Sequence, residues 1–419
     1  MTAPGEAARP KPARRPTIKD IARRAGVSES AVSFALNDRP GVSRDTRARV
    51  RRVAEELGWQ ANSAARALSG ERAGALGLVL ARPARTLGVE SFFLQLVSGI
   101  QEVLSVRKIA LLFQVVEDLD AECALYRRWW AERRVDGVLV VDPRTEDPRP
   151  ELLTSLGLPA VVVGEPGPPE PASPEPGSPE PDAPEPDAPE PDAPGPDAPG
   201  PDAPGPDAPG PGGVSGSAPP RPAAVPPRPA AVPPHPLLST VRADDSTAMA
   251  RILDHLYGLG HRRIVHVAGL PDLAHTARRI RSLRTEADLR GLDHRHVHSV
   301  TTDYSDAEGA EVTRRLLDAP QPPTAIVYDN DVMAVAGASV AAGRGIPVPA
   351  ALSIVAWDDS ALCRVTHPRL TALVRDTPAF GRLAAGELLA VLDGGPLRTV
   401  QAELPHLEAR ESTGAPGAP

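Results

Sequence analysis

Six short apolar runs, each bounded by turn-forming residues, decide most of what this chain can fold into. They are "AGALGLVLA" (73–81), "VDGVLVVDP" (135–143), "LPAVVVGE" (158–165), "HRRIVHVAG" (261–269), "PTAIVYDND" (323–331) and "ALSIVAWDD" (351–359). Runs this short and this apolar suit strands covered on both faces, as in a parallel sheet. Helical periodicity lies between them, from Phe92 to about Val106, over 246–258 and over 332–344. Parallel strands need a crossover, usually a helix, so strand-helix alternation in two blocks predicts two doubly wound α/β subdomains with a cleft between them.

The front of the chain follows a different pattern. In "TIKDIARRAGVSESAVSFALN" (17–37), Ile18, Ile21, Ala22 and Ala25 recur at helical spacing, then Val32, Ala35 and Leu36 do so again. Thr17 with Asp20 forms a shortened capping box, and Ser28 is placed to cap the second helix. Gly26 permits the sharp turn between them, because a residue without Cβ tolerates positive φ. A third helix is expected from Ser43 to Gly58, with Val50, Val53, Ala54 and Leu57 inward and Arg44, Arg47, Arg49, Arg51 and Arg52 around it. A short alanine-rich helix, "NSAARALSG" (62–70), follows, with Leu68 as its one large apolar side chain. Two short helices on a tight glycine turn describe a helix-turn-helix. Residues 1–72 carry 15 Lys+Arg against 8 Asp+Glu in a chain of net charge −8, the asymmetry of a DNA-binding head on an acidic protein.

Residues 17–70 resemble the head of the lactose-repressor/galactose-repressor (LacI/GalR) family of bacterial transcription regulators. The pieces that carry the resemblance are "TIKDIARRAGVS", "AVSFALN", "GVSRDTRARV", "AEELGWQAN" and "ARALSG", and it continues through most of the chain outside the tract described below. It implies an all-α head on a core like the periplasmic sugar-binding proteins, acting as a homodimer or a higher assembly on double-stranded operator DNA. Glu29 and Ser30 would meet base edges, with Phe34 one turn on. Ser28, Ser33 and Asn37 would hold phosphates, and Thr17, Asn62 and Ala65 complete the DNA-facing set. Much of the family has arginine where Phe34 stands, so strong guanine readout is not expected there. Leu68 would be a wedge that enters the minor groove and opens a central base step.

The same resemblance places a small-molecule effector, most simply a sugar, in the cleft. Arg279, Tyr304, Asn330 and Asp358 match the family's effector contacts, Tyr304 or Trp357 offers a flat face, and Phe92 and Phe93 would line the opposite wall. The chain departs from the family pattern at Arg279–Leu283, at Ala356 where glycine is usual, and at Gly164 where some sugar-responsive relatives carry a carboxylate.

One further segment has no counterpart in that family. Glu165 to Pro236 is almost wholly Pro, Ala, Asp, Glu and Gly, with three EPDAP and three GPDAP pentads from Glu180 to Pro209 and "RPAAVPP" twice from Arg221. With 12 carboxylates, 2 arginines and few apolar side chains it is predicted to be disordered. It reads either as a tolerated expansion in a surface loop or as an acidic brush or docking arm. The expected organisation is a basic tail (1–15), a helix-turn-helix domain (16–61), a hinge helix (62–71) and a first core subdomain (73–164, with a return at about 367–394). After the insertion (165–236) comes a second subdomain (237–366, with a return at about 395–413).

Other classes are weaker. Asp358 and Asp359 would point to opposite sides of an extended strand and so could not act as a general acid/base pair. His294, His296 and His298 alternate as if on one strand face, yet no Cys, Asp or Glu on that face completes a metal site. Cys123 and Cys363 are too few for a disulfide framework and read as buried fillers. No cofactor or metal is expected, and an enzyme or a sugar-binding module without DNA binding are the alternatives. No secretory signal or bilayer-length apolar run is seen, so a cytoplasmic location is expected.

Overall fold

The computed structural model describes residues 15–59, 72–82, 91–165 and 238–417. Among the described residues the head contains three helices: α1 (Ile18–Ala25), α2 (Glu29–Leu36) and α3 (Arg44–Glu56). The Asp20 carboxylate accepts from the backbone N–H and the hydroxyl of Thr17, and Ser28 Oγ accepts from the Ala31 N–H. Gly26 ends α1 at φ 66°, the left-handed turn expected of it. Ile21, Ala25, Val32, Ala35, Val50 and Val53 close the core of the head. Ile18, also expected inward, is 36% exposed, because the core closes on Ile21 and Ala25 further along the helix. Asp38 accepts from both Arg47 and Arg51, which ties the turn after α2 to α3.

The core holds two six-stranded sheets. The first runs β11 (Thr399–Gln401), β5 (Leu238–Arg242), β4 (Ala160–Val163), β3 (Gly137–Val140), β1 (Ala75–Ala81) and β2 (Ala110–Val116), all parallel. Its faces carry α4 (Ser91–Val106), α5 (Leu119–Ala131), α6 (Arg149–Leu156) and α12 (Thr377–Leu392). Helices α4 and α12 cross very closely: a methyl group on Gly99 would lie 1.9 Å from the Pro378 carbonyl oxygen, and one on Gly381 would lie 2.2 Å from that of Leu96.

The second sheet runs β12 (His406–Glu408), β10 (Thr371–Val374), β9 (Ser353–Ala356), β8 (Ala325–Tyr328), β6 (Ile264–Ala268) and β7 (Val297–Thr301). Only its edge strand β12 is antiparallel among these described pairs. Its helices are α7 (Asp245–Gly258), α8 (Ala274–Leu289), α9 (Asp306–Leu317), α10 (Asp331–Gly343) and the short α11 (Ala361–Val365). Every strand and helix expected in the two blocks is present within a few residues of its expected bounds.

The boundaries between subdomains differ from expectation. The strand after the tract, β5, pairs with β4 in the first sheet, so the chain crosses at 243–244 rather than at 237. The return is at 375–376 rather than about 367, because β10 still belongs to the second sheet. The last crossing falls at 402–405, since β11 pairs with β5 in the first sheet. Sheet membership depends on partners distant in sequence, which a local apolar run does not specify. Both cysteines are buried and free.

Candidate functional site

Parallel strands deliver their C-terminal ends, and the loops that follow, to one edge of a sheet, and the two sheets present those edges to each other. From the first come Arg82 after β1, Asp142 and Pro143 after β3, and Gly164 after β4. From the second come His275 and Arg279 on α8, Tyr304 after β7, Asp329 to Asp331 after β8, and Asp358 after β9. Phe92, Phe93 and Phe380 give the first wall its apolar surface.

The second wall is a buried charge network centred on Arg279. Its Nε donates to Asp245 at 3.2 Å and its Nη1 to Asp329 at 3.0 Å, while its guanidinium lies 4.0 Å from the Trp357 ring centroid. Asp329 also accepts from the Gly269 N–H, bonds His266 Nε2 at 2.9 Å and lies 3.3 Å from the Tyr304 hydroxyl. Burial acts to raise the Asp329 pKa, but Arg279 and His266 outweigh it and hold the carboxyl well below the usual range. Burial likewise acts to raise Asp245, and Arg279 with Arg278 brings it down. Tyr304 keeps its proton because burial and the nearby Asp329 charge push its pKa up.

The two walls touch. Arg82 donates to Asp142 at 2.7 Å and places its guanidinium 5.2 Å from the Phe93 ring and 5.0 Å from the Tyr304 ring. Arg144 pairs with Asp272, the Thr145 N–H donates to the Asp272 carbonyl at 3.0 Å, and the Ala274 N–H donates to that of Pro143 at 2.8 Å. Arg278 spans from Asp245 to the Glu165 carbonyl. The space enclosed is about 90 Å³. Small-molecule sites usually offer about 300–1,000 Å³, so a sugar-sized ligand requires the walls to part.

Of the seven side chains expected to contact effector, Phe92, Phe93, Arg279, Tyr304, Asn330 and Asp358 line this cleft. Trp357 does not. It is 1% exposed, one ring face carries Arg279, and it belongs to the core of the second sheet. Asn330 caps α10 by accepting from the Met333 N–H and donates to the Tyr304 carbonyl. Asp358 Oδ1 lies 2.9 Å from Arg375 Nη2 as an ion pair without hydrogen-bond alignment. Strand β9 ends at Ala356, so the two following aspartates occupy a loop, where Asp359 turns away to pair with Arg410. Of the three alternating histidines only His298 lies in β7; His294 bonds Asp288 and His296 bonds Gln321.

Sequence reasoning missed Arg82, Asp142, Asp245, His275 and Asp329. A signal was available for Asp142 and Asp329, since each sits at the end of an apolar strand run and Asp329 also stands beside Asn330; the others come from segments with no motif of their own.

His275 is expected to make folding stability pH-dependent. Burial, then the Arg279 charge, lowers its pKa to about 4, and its Nε2 lies 2.9 Å from the Tyr304 hydroxyl. An unfolded histidine takes its proton near 6.5, so between these values the unfolded chain binds more protons and stability falls as pH drops from about 6.5 to about 4, by at most about 3 kcal/mol. Thermal unfolding of the parent and His275→Asn at pH 7 and pH 4.5 should show a smaller loss in the variant. Equal losses would exclude His275 as the group responsible.

The second candidate surface is on the head. Ser28, Glu29, Ser30, Phe34 and Asn37 are exposed on or beside α2, Phe34 by 38%, while Thr17 and Ser33 are half-buried. The Phe34 ring also lies close to Gly41, so its edge packs on the following loop. Arg44, Arg49 and Arg52 are exposed on α3. Asn62, Ala65 and Leu68 lie outside the described residues, as does the tract beyond Glu165.

Comparison with known proteins places both surfaces in context. Residues 17–62 match the model for bacterial regulatory proteins of the lacI family, and residues 253–413 match a periplasmic binding protein-like domain. The chain is 26% identical over 404 residues to the HTH-type transcriptional regulator CelR of Thermobifida fusca, covering 95% of this chain and 98% of that protein. It is 32% identical over 157 residues to the HTH-type transcriptional repressor CytR of Escherichia coli, covering 38% and 46%. Among solved structures it resembles a CelR–cellobiose complex, with TM-score 0.59 at 25% identity over 95% of this chain and all of that one. The lac repressor dimer bound to operator and the anti-inducer ONPF has the same fold, with TM-score 0.69 at 18% identity over 96% of this chain and all of that one.

Proposed function

We propose that the chain is a transcriptional regulator of the lacI type, which binds a near-palindromic operator as a homodimer under control of a sugar-type effector held in the cleft. The observation that carries this reading is the pairing of an exposed helix-turn-helix face with a cleft whose second wall is built of fixed carboxylates, an amide and a phenol. Such groups take up pairs of hydroxyls, while Phe92 and Phe93 suit the apolar face of a sugar ring. A relative of similar length is described in complex with cellobiose, which supports a glucoside as the first class to test.

In this reading α2 enters the major groove, Glu29 and Ser30 face base edges, and Ser28, Ser33, Asn37 and Thr17 hold the backbone. Asn62, Ala65 and Leu68 would act at the minor groove, with Leu68 as wedge. The effector must favour one angle between the subdomains over another, because a ligand with equal affinity for both states shifts nothing. Opening separates Arg82 from Tyr304 and Arg144 from Asp272, so these contacts set the energy the effector has to overcome or replace. Asp245 is already paired with Arg278 and Arg279, and Asp329 with Arg279 and His266, which favours a binding protein over an enzyme that uses cleft carboxylates.

The test is fluorescence anisotropy of labelled promoter DNA titrated with cellobiose and other disaccharides. Asp358→Asn should keep operator affinity, yet need at least about tenfold more sugar for the same response, as expected when a charged hydrogen-bond acceptor is lost. A variant that responds at the parent's sugar concentration would remove Asp358 from the site.

A further inference from the structure

A second cavity, of about 220 Å³, lies where the chain passes between the subdomains. All three crossings wall it: Ala243 to Asp245, Arg375 with Asp376, and Ala402 with Glu403 and Pro405. Its apolar surface comes from Trp357, Ala379, Phe380 and Leu383. We propose that this hinge cavity is a second ligand site, for a small uncharged aromatic molecule of one or two fused rings, and that its occupant biases the angle between the subdomains.

Size supports the class. An apolar protein cavity of about 150 Å³ is enough to bind benzene, so this one has room for a larger ring system. Most charges of the polar rim are already paired, which disfavours a charged ligand, while the buried Arg375 Nε–H has no acceptor among the described residues and could donate to a ring or a neutral oxygen. Asp244 caps α7 through the Thr247 N–H and hydroxyl, and Asp245 is held by Arg278 and Arg279. Asp376 caps α12 through the Ala379 N–H and pairs with Arg382, and Arg375 pairs with Asp358. Glu403 stands exposed to solvent.

Coupling follows from shared walls. Ala243, Asp245, Arg375 and Phe380 line both this cavity and the cleft. Arg375 also reaches the cleft residues Asp358 and Phe92, the latter at 5.6 Å from its ring centroid. A molecule lodged between the crossings therefore presses on the segments that must bend when the cleft opens. Any linkage between the two sites is reciprocal. The regulatory half of the proposal rests on the cleft reading above; occupancy of the hinge does not.

Indole is the probe, added to the full-length protein and followed by calorimetry. One saturable site per chain is expected. Ala379→Leu, which extends a side chain into the cavity, should weaken binding at least about tenfold, or 1.4 kcal/mol. Ala379→Met is a more flexible second filler and should do the same if the leucine variant folds poorly. His275→Asn, which alters the cleft at a residue that neither lines the hinge cavity nor bridges the subdomains, should leave indole affinity within about twofold. Saturating indole should also change operator affinity several-fold in the parent and not in the filled variants. Absence of saturable binding, or filled variants that bind like the parent, would overturn the site. Loss of binding in His275→Asn would assign indole to the cleft instead. Binding at the hinge with no change in operator affinity would overturn the regulatory role while leaving the operator and effector reading intact.

Discussion

Arg279→Ala is expected to destabilise the second subdomain by roughly 3–5 kcal/mol, the cost of removing one partner from a buried ion network. The substitution takes a shared cation from two buried carboxylates at once, leaving Asp245 with Arg278 alone and Asp329 with His266 and the Gly269 N–H, and it leaves the Trp357 face uncovered. A shift of several degrees in the thermal midpoint, on the order of 10 °C, should follow. Arg279→Lys should recover only part of it, because an ammonium cannot span both carboxylates as the planar guanidinium does. Adding Asp329→Asn to Arg279→Ala should recover stability relative to the single variant, since one of the two buried carboxylate charges is then gone. If Arg279→Ala melts like the parent and loses only effector response, the residue is a ligand contact and the network is not structural.

The second large effect concerns DNA. The intact chain is expected to bind a two-fold symmetric site about 10²–10⁴-fold more tightly than fragment 1–72, because linking two heads makes the second contact intramolecular. The fragment has its own core and a net charge of +7, so it should still bind, weakly and with strong salt dependence. The intact protein should show the steeper slope of log affinity against log salt, since it releases counterions from two half-sites. Footprinting on the protein's own promoter should reveal symmetric protection about a distorted centre. An asymmetric footprint with an undistorted centre would argue against paired heads.

Relatives described as transcription regulators fit this picture of a DNA-binding protein. Among the described residues no helix is long and apolar enough to cross a membrane.

What could be read from the sequence follows the range of the interactions concerned. The helix-turn-helix was legible in full, because capping by Ser28, the turn at Gly26 and the apolar spacing of Ile21, Ala25, Val32 and Ala35 act within one or two helical turns. The six strands were legible for the same reason, each being an apolar run with turn residues at its ends. Six of the seven residues expected to contact effector line the cleft, and they could be placed there because the family resemblance stood in for tertiary information. Trp357 could not, since an aromatic residue at a strand end looks the same whether it faces a ligand or an arginine.

The sequence by itself therefore determined the elements and the fold class, products of local periodicity and capping, while the resemblance supplied the helix expected to face DNA. Only the tertiary structure decided which sheet β5, β10 and β11 join, that Arg82 bridges the cleft, and that Arg279 is held by Asp245 and Asp329. Those last partners lie 34 and 50 residues away, and Arg82 finds Asp142 at a separation of 60. Pairings over such distances leave no periodic trace in the chain, because they are selected by where the sheets bring their strand ends together.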